Sequence, residues 1–293
     1  MAKQVLGVIG GSGVYDLPGL ENARWETVES PWGEPSDQLR RGEINGLPLV
    51  FLPRHGRGHR YSPSDIPYQA NIDVLKRAGV TTLISLSACG SFRETMPPGT
   101  FALVDQFIDR TFARPKSFFG KGCVGHVGFA HPVSPLVFGY LRQALQSQSI
   151  AHALGGTYLC MEGPQFSTLA ESRLYRDVWG CDIVGMTGMP EAKLAREAEI
   201  PYAMVAMVTD FDCWHPDHDH VDVASVIAVM RSNVETARRL IIGLAALLPR
   251  EAEACPSGSD RALDHAIMTA PAMRDPLLVA KLDAVAGRVL NPT

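Results

Sequence analysis

Nowhere in its 293 residues does this sequence hold two cysteines at CxxC spacing. Its six, Cys89, Cys123, Cys160, Cys181, Cys213 and Cys255, are scattered, and four lie inside apolar runs. They read as reduced core residues, because a chain of this length needs no covalent staples. Charge of either sign is also short: a net charge of -4 excludes a polyanion-binding surface and an acidic tail, so no nucleic-acid partner is expected. Long apolar runs are missing as well. LIIGLAALLP falls well below the roughly 20 residues that a membrane helix needs, so no membrane partner is expected. The start, MAKQVLGVIGG, reaches a strand and a glycine turn too soon to hold a secretory signal, which predicts a cytoplasmic protein. No GxxxxGK[ST] string occurs, so ATP is not the expected source of any bound phosphate.

What is present is apolar and periodic. Hydrophobic residues make up 46% of the chain, enough for a sizeable core. VLGVIG, LPLVFLP, TTLISLSA, TFALVDQFI, CDIVGM and YAMVAMVTD read as strands buried on both faces. Between them SDIPYQANIDVLKRAG, SPLVFGYLRQALQSQ, STLAESRLYRDVWG, MPEAKLAREAEI and the long run from residue 221 to 248 place apolar residues three and four apart, as amphipathic helices do. The alternation predicts an α/β fold: a single domain with a central mixed β-sheet flanked by helices. Composition shifts only after Leu248, where PREAEACPSGSDR reads as a linker. Residues 1–248 are therefore expected to form the main domain, and 249–293 a linker and helical extension packed on it or on a neighbouring subunit.

Three strands end in loops suited to an anion. IGGSGVYD offers glycines, backbone N–H groups and the Ser12 hydroxyl, but Asp16 stands where a dinucleotide fingerprint needs its third glycine. PRHGRGHR concentrates Arg54, His55, Arg57, His59 and Arg60, whose guanidinium and imidazole donors suit a tetrahedral oxyanion. LSACGS adds Ser87 and Ser91 with small neighbours. Each loop alone reads equally as a tight turn, a solvated basic loop or a helix cap. Together, at the ends of neighbouring strands, they point to one phosphate site.

Two further strings suit a nucleoside. In EGPQFSTLAES, Phe166 can stack on a planar base and Ser167 either caps the next helix or binds the ligand. In GMTGMPE, Met186 can pack on a sugar face while the Thr187 hydroxyl binds an oxyanion. The sharpest signal is TDFDCW. Asp210 and Asp212, two apart on an extended segment, point to the same side, and their repulsion needs a ligand or solvent to relieve it. A purine with an exocyclic amine does so: one carboxylate accepts from the amine and the other, protonated, donates to N7. A metal cluster built from His215, Asp217, His218, Asp219 and His220 is the rival reading, set aside because a polar run with Pro216 between strand and helix reads as a solvated loop.

IGGSG, PRHG, SACGS, DQFIDRT, EGPQFST, MTGMPEA and TDFDCW, in this order and spacing, resemble the trimeric purine nucleoside phosphorylases from about Val5 to Leu248. The resemblance implies phosphorolysis of 5'-methylthioadenosine to adenine and 5-methylthioribose 1-phosphate. Inorganic phosphate would be the co-substrate, with no metal and no organic cofactor. It implies phosphate contacts at Ser12, Arg54, His55, Ser87 and Thr187, with Met186 under the ribose. Ala88, Cys89, Gly90, Phe166, Ser167, Asp210 and Asp212 would surround the base. It further implies a homotrimer with shared active sites, in which His131 reaches the neighbouring subunit's sugar site. Val223 and Val226 resemble the apolar contacts to the 5' group.

Two other activities stay open at this point. Carboxylates repel a 6-oxopurine, which presents an acceptor where adenine presents a donor, so the pair favours 6-aminopurines and a phosphorylase for methylthioinosine or 6-oxo nucleosides is only the enzyme alternative. The non-enzyme alternative is a nucleoside-binding regulatory module.

Overall fold

The protein is described by a computed structural model that covers residues 2–11, 13–216 and 223–291, with residues 223–225 described by their backbone alone. Among the described residues eleven strands join into one mixed sheet. Six follow the sequence reading: β1 (Leu6–Gly10), β4 (Leu47–Pro53), β5 (Thr82–Ser91), β6 (Phe101–Leu103), β10 (Ile183–Gly185) and β11 (Tyr202–Asp210). β6 is only the first half of the predicted 100–108 strand; the second half belongs to β7 (Gln106–Asp109), which pairs elsewhere. Four strands, each short or interrupted by charged residues, were not expected: β2 (Glu21–Glu26), β3 (Leu39–Ile44), β8 (His152–Leu154) and β9 (Thr157–Cys160). β2 and β3 extend the sheet past β4 in antiparallel register, and β2 faces solvent along most of its length.

β5 organises the centre. β11 pairs with it in parallel over Leu83 to Gly90 along one edge. On the other edge β1 is in register only as far as Ser85, and β10 takes over only at Gly90. Residues 86–89 therefore pair along a single edge, and the sheet opens there. Such a divergence of neighbouring strands is where open α/β sheets place their ligands.

Helices cover both faces, and two apolar clusters result. One face holds α1 (Tyr68–Arg77) and α4 (Gly188–Glu197), the other α2 (Pro135–Ser147) and α5 (Val223–Leu247). Ser134 starts α2 by accepting from Val137 N, with Pro135 following at the position that lacks a hydrogen-bonded N–H. α3 (Leu169–Arg173) starts with a reciprocal Thr168–Glu171 capping box, so Thr168, not Ser167, is the cap. The segment after Leu248 folds back on the α1 and α4 face. Its helices α6 (Pro276–Lys281) and α7 (Asp283–Leu290) are split at Leu282, and Leu263, Leu282, Val285 and Ala286 are buried in that same cluster. Arg288 ties α7 to Glu199 at 2.6 Å and to Asp264 at 2.5 Å. The chain is a single α/β domain. Among the described residues no helix is long and apolar enough to cross a membrane.

Candidate active site

A cleft of about 530 Å³ opens where β1 and β10 diverge along β5. Its lining includes Arg54, His55, Ser87, Ala88, Cys89, Gly90, Phe166, Met186, Thr187, Asp210, Asp212 and Val226, so twelve of the residues singled out in the sequence meet in one place. Ser12 and the side chain of Val223 lie outside the described residues. So do Asp217, His218, Asp219 and His220 of the rival metal reading. Among the described residues no three His, Cys, Asp or Glu side chains gather as a metal site would need.

One end of the cleft gathers donors that suit an anion. The Ser87 and Thr187 hydroxyls lie 3.0 Å apart, brought together from β5 and from the start of α4, where Thr187 makes no capping bond of its own. Beneath them Arg54 is 2% exposed. Its guanidinium does not project as the free fork that the sequence suggests. Nε donates to Glu191 at 2.9 Å, Nη1 to the Leu86 carbonyl at 3.0 Å, and Nη2 to Ser85 Oγ at 2.6 Å and Glu191 Oε1 at 3.4 Å. Burial works against the charge on Arg54, but Glu191 more than offsets it and holds the guanidinium charged.

His55 departs further from expectation. Its Nδ1 lies 2.9 Å from the Tyr61 carbonyl, so that nitrogen must carry the proton. Burial, with the positive charge of Arg54, lowers its pKa to about 4, so the ring is neutral near pH 7 and Nε2 is an acceptor, not a donor. Towards phosphate such a nitrogen suits a P–OH hydrogen. Of the rest of the basic loop, His59 also lines the cleft, while Arg57 and Arg60 turn away. Arg57 pairs with Asp37 at 2.8 Å and lies over Trp25, and Arg60 donates to the Ser36 carbonyl. His59, held at φ 56°, stacks on His55 with ring centres 4.2 Å apart.

The opposite end holds the two aspartates, though not as alternating side chains of one strand. A bulge between Val208 and Asp210 ends β11, and Asp212 sits in the left-handed region at φ 53°. The Asp212 N–H donates to Asp210 Oδ1 at 2.8 Å, and Thr209 Oγ1 donates to Asp210 Oδ2 at 2.7 Å. Burial raises the pKa of both carboxyls, and for Asp210 the neighbouring Asp212 adds to the rise. A raised pKa favours the protonated form of a carboxyl, which an acid that donates to a heterocycle requires. Ser172 Oγ is buried and lies near enough to Asp212 to help hold that carboxyl's pKa down. Gly90 makes the space: a Cβ there would lie 2.7 Å from Asp210 Oδ1.

Phe166 is 43% exposed at the mouth of the cleft, while Ser167 lies outside its lining, its hydroxyl 3.6 Å from Met161 Sδ. His131 is exposed and also lies outside it; its carbonyl accepts from Arg196 at 2.6 Å. Along α5, Val226, Met230 and Val234 line the cleft at four-residue intervals. The last two were missed, although the helical period already pointed to them. Also missed was Arg114, its side chain fully buried behind the Met186 turn. It donates to the carbonyls of Met186 at 2.6 Å, Met189 at 2.7 Å and Glu162 at 2.7 Å, and so fixes the turn that carries Met186 and Thr187. No local pattern reveals it, because its partners are three carbonyls distant in the chain.

A cleft with hydroxyl and guanidinium donors at one end and paired carboxyls at the other suits a reaction that splits a glycosidic bond with an anion. The chain is a member of the phosphorylase superfamily, whose family model matches residues 5–246. It is 68% identical to an S-methyl-5'-thioadenosine phosphorylase of Bradyrhizobium diazoefficiens over 99% of this chain and 100% of that protein. A protein of the same name from Cereibacter sphaeroides is 63% identical over 99% of each. Among solved structures, a methylthioadenosine phosphorylase sourced from an antarctic soil metagenomic library superposes with a TM-score of 0.90 at 43% identity. It covers 97% of this chain and 99% of its own. A Schistosoma mansoni adenosine/methylthioadenosine phosphorylase mutant in complex with methylthioadenosine gives 0.77 at 37% identity, over 84% and 91%.

Proposed function

We propose that this chain catalyses phosphorolysis of S-methyl-5'-thioadenosine, giving adenine and 5-methylthioribose 1-phosphate. The observation that carries the reading is the pairing of Asp210 and Asp212, both with raised pKa, at the end of a cleft whose other end holds Arg54, Ser87 and Thr187. Adenine needs an acceptor for its amine and a proton for N7, and two carboxyls sharing one proton supply both. The high identity to proteins named for this activity supports the same choice.

In the reaction, a phosphate oxygen bonds to the anomeric carbon as the C1'–N9 bond breaks, and the electron pair of that bond passes into the purine. N7 takes the proton from the aspartate pair, so adenine leaves neutral. Between these events the sugar is cationic, and the phosphate faces it. Met186 packs under the ribose, Ala88, Cys89, Gly90 and Phe166 flank the base, and Val226 meets the methylthio group. Phosphate is the co-substrate, and no metal or organic cofactor enters the scheme.

Residues 1–248 make the body of the enzyme and 249–293 an extension of the same domain. We place three copies around shared sites, with His131 of one copy reaching the sugar of the next. Its exposure outside its own cleft suits that role, and light scattering of the purified protein measures the assembly.

The deciding experiment mixes the protein with S-methyl-5'-thioadenosine, adenosine or methylthioinosine, with and without phosphate, and identifies base and sugar. Adenine and the sugar phosphate are expected. Hypoxanthine as the faster product assigns the site to 6-oxopurines, free methylthioribose makes the enzyme a hydrolase, and tight binding without turnover makes it a regulatory module.

A further inference from the structure

Arg54 faces the anion end of the cleft as half of an ion pair. Both Arg54 and Glu191 are 2% exposed, and their contact is bidentate, 2.9 Å from Nε and 3.4 Å from Nη2. Tyr202 Oη donates to Glu191 Oε1 at 3.0 Å and fixes the carboxylate from its other side. With Ser85 and the Leu86 carbonyl also taken, four of the five guanidinium hydrogens are committed and one on Nη1 remains. The Ser87 and Thr187 hydroxyls are neutral, and the His55 ring, its Nδ1 proton given to Tyr61, offers only a lone pair. The floor of the anion end thus holds directed donors, while its one guanidinium charge is cancelled by Glu191.

We infer that Glu191 is a positioning residue that cancels the charge of Arg54, so that phosphate is held by hydrogen bonds while its own negative charge stays available to the cationic sugar. The inference rests on the functional reading above, which puts phosphate at this end. Its physical reason is differential binding. A free guanidinium in a site shielded from water would hold the phosphate dianion equally in the ground and transition states, which tightens binding without speeding the reaction. Attraction between phosphate and the sugar cation, in contrast, exists only once the glycosidic bond stretches.

The test is steady-state kinetics with phosphate varied, on the full-length wild type, Glu191→Gln, Arg54→Met and the double variant Arg54→Met with Glu191→Met. Freeing the guanidinium in Glu191→Gln is expected to lower the phosphate KM by about threefold or more while kcat falls about tenfold or more. Arg54→Met strands a buried carboxylate beside the phosphate and is expected to raise its KM by about a hundredfold. The double variant replaces a buried ion pair by apolar side chains of similar length, a change that cores tolerate, and is expected to return the phosphate KM to within about tenfold of wild type. A phosphate KM that rises in Glu191→Gln with kcat kept, or a double variant no better than Arg54→Met, overturns the inference. Should Glu191→Gln not fold, the two methionine variants decide by themselves. Base release that ignores phosphate in the wild type overturns the functional reading and this inference together, whereas the reverse pattern in a phosphate-dependent wild type overturns this inference alone.

Discussion

Asp210 accepts from Thr209 and from the Asp212 N–H, so both of its oxygens are already hydrogen-bonded before a base arrives. A neutral amide in its place offers one acceptor instead of two and cannot supply the proton for N7. Asp210→Asn is therefore expected to lose on the order of a hundredfold in kcat/KM with S-methyl-5'-thioadenosine and less with methylthioinosine, measured by base release. Equal losses on the two substrates would show that the carboxylate does not read the base. Glu197 makes a second residue-scale prediction, away from the cleft. It accepts from Ser117 Oγ and Phe118 N at 2.7 Å each, and burial raises its pKa to about 7. The native state then binds a proton that the unfolded chain has released at roughly pH 4.3 and above, so stability contributed here is full below that pH and declines until about pH 7. Removing the titration in Glu197→Gln should flatten the wild-type fall in unfolding free energy between pH 5 and 7, by an amount on the order of 2 kcal/mol, read from denaturant midpoints. An unchanged slope would mean that Glu197 is ionised across that range.

Strands and helices tolerate less at this site than their sequence patterns suggest. β10 is three residues long and ends at Gly185, where a Cβ would lie 1.9 Å from the buried Tyr158 hydroxyl. Gly185→Ala must displace Tyr158 or the strand. It is expected to cost about 3 kcal/mol or more by overpacking, with activity lost because Met186 and Thr187 follow directly; melting curves beside kinetics check it. α5 works differently. Asn233 donates to the Val208 carbonyl and Arg238 to the Gly13 carbonyl at 2.7 Å, so this helix is fastened both to β11 and to the turn after β1. Its Val226, Met230 and Val234 face the cleft in consequence. Met230→Ala should leave phosphate KM near the wild-type value and weaken the methylthio nucleoside more than adenosine, a comparison of kcat/KM that a buried structural role for Met230 would not produce. The α5 pattern was readable in the chain. β2, β3, β8 and β9 were not, because β2 and β3 are interrupted by charged residues and β8 and β9 span only three and four residues, and only neighbouring strands make them strands.

At the scale of the whole molecule, the tail is part of the core. Leu282 is fully buried between α6 and α7, in the cluster that also holds Leu75 and Ala78 of the α1 region. Leu282→Ala is expected to lose about 2 to 5 kcal/mol of unfolding free energy while kcat at 25 °C stays near wild type, measured by denaturant titration and by base release. A fall in kcat without a fall in stability would move the tail from scaffold to active site.

Much of the chemistry was open to inspection in the chain itself. Residue types and local periods are intrinsic to a sequence, so the hydroxyls of Ser87 and Thr187, the carboxyls of TDFDCW and the apolar stripe of α5 announce themselves wherever they fold. What each group does with its protons and charge is another matter, because that depends on neighbours distant in the chain. Glu191 neutralises Arg54 from 137 positions away, the Tyr61 carbonyl makes His55 an acceptor, and a bulge in β11 turns Asp212 back onto Asp210. The composition of the site is thus local, and its electrostatics belong to the fold, since burial and long-range pairing set a charge's energy and neither is encoded in any short stretch.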